Sequence, residues 1–272
     1  MPGACIAVLT YPDINPIAFQ ISSLKVHWYG LSYLAGLLGA YLVSICRGRK
    51  QINPWNSEQV ADLLFYVAMG IILGGRIGFV LFYQPATIIS DPLTLLTFWV
   101  VGRSFHGGLL GVMLAVMLYC KLHKRSFLEV TDFIAPVVPI GLGFGRLGNF
   151  INGELWGRVT DAPWGMVFPD VGPLPRHPSQ LYEFGLEGVL LFIILMLYAV
   201  KPRKLGAVSG LFLICYGVFR CLVEFVREPD LSHGFIAFDW LTMGQLLSIP
   251  MILIGMFLMI RICPTLKRGS LA

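Results

Sequence analysis

Apolar positions in this chain come in long blocks rather than in short alternations. Seven stretches approach the roughly 20 mostly apolar residues that a helix needs to cross a bilayer: 28–46, 60–82, 106–122, 131–149, 181–200, 206–226 and 240–262. The third (HGGLLGVMLAVMLYCK) and the fifth (with VLLFIILMLYAV) are the clearest. The fourth carries Pro136, Pro139 and four glycines, which predicts a kink. The pattern therefore predicts an all-α polytopic membrane protein, one integral membrane domain over 1–272 with seven transmembrane helices. Between the fourth and fifth stretches, residues 150–180 are rich in glycine and proline and hold Trp156, Trp164 and His177. They predict a small cap on the outer, periplasmic face.

Composition agrees with the pattern. Hydrophobic residues are 56% of the chain, charged residues only 13%, and the mean hydropathy is +0.75, whereas a soluble domain carries about 25% charged residues. The N-terminal MPGACIAVLTYPDINP lacks a basic segment followed by an apolar one, so no cleaved signal peptide is expected. The six cysteines show no CxxC spacing, and small apolar packing residues is the expectation for them rather than disulfides or a metal cluster.

Charge orients the helices. Arg47, Arg49 and Lys50 follow the first span; Lys121, Lys124 and Arg125 the third; Lys201, Arg203 and Lys204 the fifth; Arg261, Lys267 and Arg268 the seventh. With alternating helices these twelve of twenty basic residues share one side, which the positive-inside rule makes cytoplasmic. The N-terminus is then periplasmic, the C-terminus cytoplasmic, and the formal charge of +5 is a topological signal rather than a nucleic-acid footprint. Lys25, Arg76, Arg103, Arg146, Arg158, Arg176, Arg220 and Arg227 fall outside that bias and mark where function is expected.

The richest stretch is Gly145–Gly157, GRLGNFINGELWG, where Arg146, Asn149, Asn152 and Glu154 arrive at the end of an apolar run. A charge there is costly without a partner or a task. A guanidinium fork with nearby amides, and glycines that admit close backbone, suits an anion held beside lipid tails. Tyr216, Arg220, Glu224 and Arg227 share one face of an ideal helix. Arg220 and Glu224 read either as a structural ion pair or as part of a site, and Arg227 adds a positive charge that the face leaves unmatched. His106 opens the third span before two glycines, as a packing residue or an acid–base group. Arg76, in GGRIG, is expected to pair with Glu183 or Glu187; Tyr29 is compatible with an interfacial aromatic belt, and Ser179 with a helix cap. HExxH, GxSxG, a phosphate-loop lysine and GxGxxG are absent, which removes support for zinc proteases, α/β-hydrolases and nucleotide-driven pumps. What remains is an outward-opening pocket suited to an anionic phospholipid headgroup.

These residues also carry a resemblance. GRLGNFINGELWG resembles the signature of the prolipoprotein diacylglyceryl transferases; Arg103–Gly108 with Leu109 is similar to their HGGL element, Arg176–Glu183 to RHPSQLYE, and Tyr216 to Asp230 to YG…R…E..RxPD. The resemblance runs from Trp28 to about Trp240. It implies an enzyme of the bacterial inner membrane that moves the diacylglyceryl group of phosphatidylglycerol onto the lipobox cysteine of a preprolipoprotein, whose signal peptide is the partner. The products are a thioether and glycerol phosphate, in the first step of lipoprotein maturation. It further implies that Arg146 and Arg220 hold the phosphate, that His106 is the acid–base group, and that Tyr29, Asn149, Asn152, Glu154, Gly157, Tyr216 and Arg227 shape the substrate site. Glu224 would orient Arg220. No metal or cofactor is expected, because arginine can stabilise the departing phosphate. The competing class is a non-enzymatic phospholipid flippase or transporter, disfavoured by the lack of a visible inverted repeat.

Overall fold

The computed structural model describes residues 9–12, 14–50, 54–85, 91, 93, 95, 102, 104–229 and 241–260. Arg103, Asp230, Trp240, Arg261, Lys267, Arg268, Cys5 and Cys263 lie outside the described residues. The elements run β1 (Leu9–Thr10), β2 (Ile17–Ile21), β3 (Leu24–His27), α1 (Trp28–Gly48), α2 (Ser57–Tyr83), α3 (Phe105–His123), α4 (Phe127–Ile134), α5 (Val138–Ile151) and β4 (Met166–Val167). They continue as α6 (Ser179–Tyr198), α7 (Ala207–Glu224) and α8 (Met243–Ile260). Among the described residues, six helices are long and apolar enough to cross a membrane, and α4 with α5, bent by 49°, makes a seventh if the pair is one span. The bend falls at Ala135–Val137, among the prolines that predict it: Pro136 lies in the break and Pro139 in the first turn of α5. Among the described residues, Cys46, Cys120, Cys215 and Cys221 are free thiols.

Two compact units divide the chain: Met1–Ala40 with Ile134–Ala272, and Tyr41–Phe133. In the second unit, α2 starts at a reciprocal cap in which Asn56 accepts from the Gln59 amide at 2.7 Å and Gln59 accepts from the Asn56 amide at 3.3 Å. Helices α2 and α3 meet backbone to backbone: a Cβ on Gly78 would stand 2.6 Å from Gly107 Cα, and one on Gly70 would stand 2.7 Å from the Gly111 carbonyl. Only glycine permits that approach, which replaces hydrophobic driving force by close packing, as helices in lipid require. At the other end of the unit Trp55 stacks on Phe133, ring centroids 4.0 Å apart, with the Arg125 guanidinium 4.0 Å above its own ring. Arg47 donates to the Phe133 carbonyl at 2.8 Å.

The first unit packs α5 on α6 and α7 on α8. The α5–α6 crossing is again glycine on glycine, Gly143 against Gly188. Residues Phe184–Leu190 of α6 form a π-helical turn, a distortion that often accompanies functional sites. Leu191, Leu195, Val208 and Ala135 form a buried apolar cluster. Residues 152–178 fold into a lobe through strand β4, which pairs in parallel with β1, and through bridges Gly157–Arg227, Val159–Arg176 and Met166–Arg176. Tyr11 closes the end of α5 by sharing its hydroxyl hydrogen between the carbonyls of Phe150 and Ile151 at 2.7 and 2.8 Å, the first of which also accepts from the Gly153 amide at 3.0 Å.

Candidate functional site

The charged residues of α5, α6 and α7 form a chain of alternating sign within one unit. Arg146 reaches Glu187 at 3.6 Å and Glu183 at 3.2 Å. Arg220 bonds Glu183 through Nη1 at 2.5 Å and Glu224 through Nη2. Arg227 follows, 3.5 Å from Glu224. The order is therefore Glu187–Arg146–Glu183–Arg220–Glu224–Arg227. Both Glu183 and Glu187 have no solvent exposure, and Glu224 only 4%. Burying an ion alone is prohibitive, and each of these acids lies in ion-pair range of an arginine. Arg220 sits at its middle, each terminal nitrogen committed to a different carboxylate, so the plane of its guanidinium is fixed from two helices.

This geometry corrects two expectations. Arg227 is not an unmatched charge, because Glu224, which lies within one helical turn of it, accepts from it. Ser179 does not cap α6: its hydroxyl donates to the Leu155 carbonyl at 2.8 Å, holding a residue whose φ is +61°.

Beside the chain, the end of α5 builds a polar rim. Asn149 and Asn152 both donate to Glu154 Oε1, at 2.9 and 3.3 Å, and Gln180 donates to the Glu154 carbonyl at 2.6 Å. The Tyr29 ring lies where a Cβ on Gly148 would sit, and its hydroxyl meets that of Tyr33 at 3.0 Å. Gly157 acts by absence of a side chain: a Cβ there would press on the Val226 carbonyl and on His177. Arg158 then ties the lobe to the end of α7, donating to the carbonyls of Arg227 at 2.9 Å and Glu224 at 3.2 Å. His177 Nδ1 meets the Tyr182 hydroxyl at 3.1 Å, and burial lowers its pKa below the usual imidazole value. Tyr216 stacks on Phe212 and lies within electrostatic range of Arg220 and Arg146.

His106 belongs to the other unit. It is exposed in the first turn of α3, edge-on to Phe105, whose helix is capped by Ser104 accepting from the Gly107 amide at 3.2 Å. Glu183 and Glu187 are the residues that sequence reasoning did not bring to Arg146 and Arg220. The available signal was their burial-prone position in an apolar span, where an acid needs a cation within reach; which cation depends on the fold.

Known proteins share this sequence over most of its length. The family model described as prolipoprotein diacylglyceryl transferase matches residues 16–261. A protein of Legionella pneumophila (strain Philadelphia 1), named phosphatidylglycerol–prolipoprotein diacylglyceryl transferase, is 59% identical over 251 residues, 92% of this chain and 98% of its own. Proteins of the same name from Pseudomonas paraeruginosa and Pseudomonas aeruginosa (strain LESB58) are each 58% identical over 253 residues, 93% of this chain and 95% of theirs.

Proposed function

The chain belongs to the prolipoprotein diacylglyceryl transferase family, and on that premise we propose that the alternating arginine–carboxylate chain with its amide rim is the seat of its chemistry. The protein is a membrane transferase that moves a diacylglyceryl group from phosphatidylglycerol to a prolipoprotein, the first step of lipoprotein maturation. The transporter reading is not favoured.

The acceptor is the thiol of a lipobox cysteine next to a signal peptide. Its sulfur attacks the glycerol carbon bonded to phosphate; the C–S bond forms, the C–O bond breaks, and its electron pair leaves on glycerol phosphate. The thiol proton passes to a base. Free cysteine has a pKa of about 8.5, so a base or a positive field raises the reactive thiolate fraction. The resemblance gives His106 as an acid–base group without assigning it the thiol proton. Arg146 and Arg220 hold the phosphate and stabilise charge on the leaving oxygen. Because both already carry carboxylates, the incoming phosphodiester exchanges with those contacts or uses the guanidinium N–H groups that remain, of the five each arginine offers. Asn149, Asn152, Glu154 and Tyr29 orient the glycerol headgroup, and Gly157, Tyr216, Glu224 and Arg227 complete the substrate-binding set. The residues 150–180 cap this site on the periplasmic side of an inner membrane, with the N-terminus periplasmic and the C-terminus cytoplasmic.

The observation that carries this site is the meeting of two sequence-distant motifs, Arg146 to Glu154 and Arg220 to Arg227, through one buried acid, Glu183. Mass spectrometry of a lipobox peptide incubated with phosphatidylglycerol and the full chain tests it. The peptide gains a diacylglyceryl mass with the native protein and loses that gain in Arg220→Ala. Unchanged transfer in Arg220→Ala would remove the site.

A further inference from the structure

Helix α8 contributes to this centre through residues that neither the motifs nor the resemblance single out. Its first turn reads Thr242-Met-Gly-Gln245 and forms a reciprocal cap: the Gln245 amide donates to Thr242 Oγ1 at 3.3 Å, and the Thr242 amide donates to Gln245 Oε1 at 3.0 Å. A hydroxyl has one hydrogen and two lone pairs. Because the cap occupies a lone pair, the hydrogen is free to point elsewhere, and it goes to Glu224 Oε2 at 2.6 Å. Thr242, Gln245 and Glu224 are all buried, with 3%, 4% and 4% exposure. The carboxylate also lies flat against the helix start, since a Cβ on Gly244 would stand 2.6 Å from Glu224 Cδ and Oε1. Glu224 thus receives Thr242 on one oxygen and presents the other to Arg220 and Arg227.

We propose that Thr242 is a positioning residue for the transfer reaction, and that Gly244 is the space it works in. The capped start of α8 sets the Glu224 carboxylate, and Glu224 sets the Arg220 guanidinium. This rests on the proposed role of Arg220 at the phosphate. A threonine that served only the helix would need its oxygen; here its hydrogen is committed as well, to Glu224 of α7. Positioning errors of about 1 Å can cost a hundredfold in rate, so the hydroxyl should register in turnover rather than in folding.

The test compares full-length Thr242→Val and Thr242→Ser with the native protein, in phosphatidylglycerol-containing nanodiscs with a lipobox peptide as acceptor. Thr242→Val keeps the shape and loses the hydroxyl, and should lower the transfer rate at saturating lipid about ten- to a hundredfold. Thr242→Ser keeps the hydroxyl and should stay within about threefold of native. Native rates in Thr242→Val, or equal losses in both variants, overturn the proposal. If Thr242→Val does not accumulate, Gly244→Ala decides. Alanine is the better helix former, so slowed transfer at an unchanged or raised Tm supports positioning, and native transfer overturns it. A native protein that transfers nothing would fail the proposed function; native transfer with an indifferent Thr242→Val fails this inference alone.

Discussion

Replacing single residues of the buried chain should separate charge from geometry. Arg146→Lys keeps the charge and loses the planar fork that spans Glu183 and Glu187. A loss of transfer of at least tenfold is expected by mass spectrometry, while Arg49→Lys, an exposed position, should be nearly silent. Glu183→Gln removes the acid shared by Arg146 and Arg220; stranding a buried partner costs about 3–5 kcal/mol. Its thermal unfolding in detergent should therefore fall by several degrees, and an unchanged Tm would show that the two arginines find other company. His106→Gln cannot titrate usefully, so transfer should fall roughly 10²–10⁴-fold with lipid binding near normal. Raising the pH should partly restore it by ionising the acceptor thiol; collapsed lipid binding without rescue would make His106 a ligand instead. At this scale the sequence was informative about residue type and about partners on one helix, as for Arg220 and Glu224. The cost of a buried charge identifies Arg146, Arg220 and Glu224 as residues needing company, but spacing in one dimension does not say that Glu183, on another helix, is shared by Arg146 and Arg220.

Among elements, the spans were legible because hydrophobic length is a local property. The break before α5 was legible for the same reason, since proline acts on its own turn. The π-helical turn of α6 was not: nothing in Phe184–Leu190 marks an extra residue per turn, and Gly188 within it packs on Gly143 of α5, a contact between helices far apart in sequence. The α2–α3 crossing gives an element-scale prediction. Gly78→Leu would drive a side chain into the backbone of Gly107, and because α2 and α3 rely on close approach, the two should separate. Cysteines placed elsewhere on α2 and α3 should then lose native crosslinking yield, whereas Phe82→Leu, on an exposed position of the same helix, should leave it unchanged.

For the whole molecule, the distribution of arginine and lysine predicts topology. Reporter fusions after Lys50, Arg125, Lys204 and the C-terminus should report cytoplasm, and one near Pro169 the periplasm; an outward C-terminus would refute the seven-span reading. Much of the functional picture is legible in the sequence, because the motif around Arg146 and that around Arg220 are specific. What the fold adds is that they meet through Glu183, that the lobe of residues 152–178 is stitched to the end of α7 by Arg158, and that α8 enters the centre from behind.

The alternating chain has a consequence for how such a protein is made. Ribosomes deliver α5, with Arg146, before either of its carboxylates on α6 exists, and Arg220 emerges only after both. A helix entering lipid with a lone arginine meets a penalty that reaches about 2.5–3.5 kcal/mol at a helix centre on insertion scales and is smaller toward the end, where Arg146 lies. The nascent chain is therefore better served if α5 waits at the translocon until α6 arrives, so that Arg146 enters lipid already paired with an acid of α6. Biogenesis then becomes sensitive to the length of the 152–178 lobe, which sets the delay between the two helices.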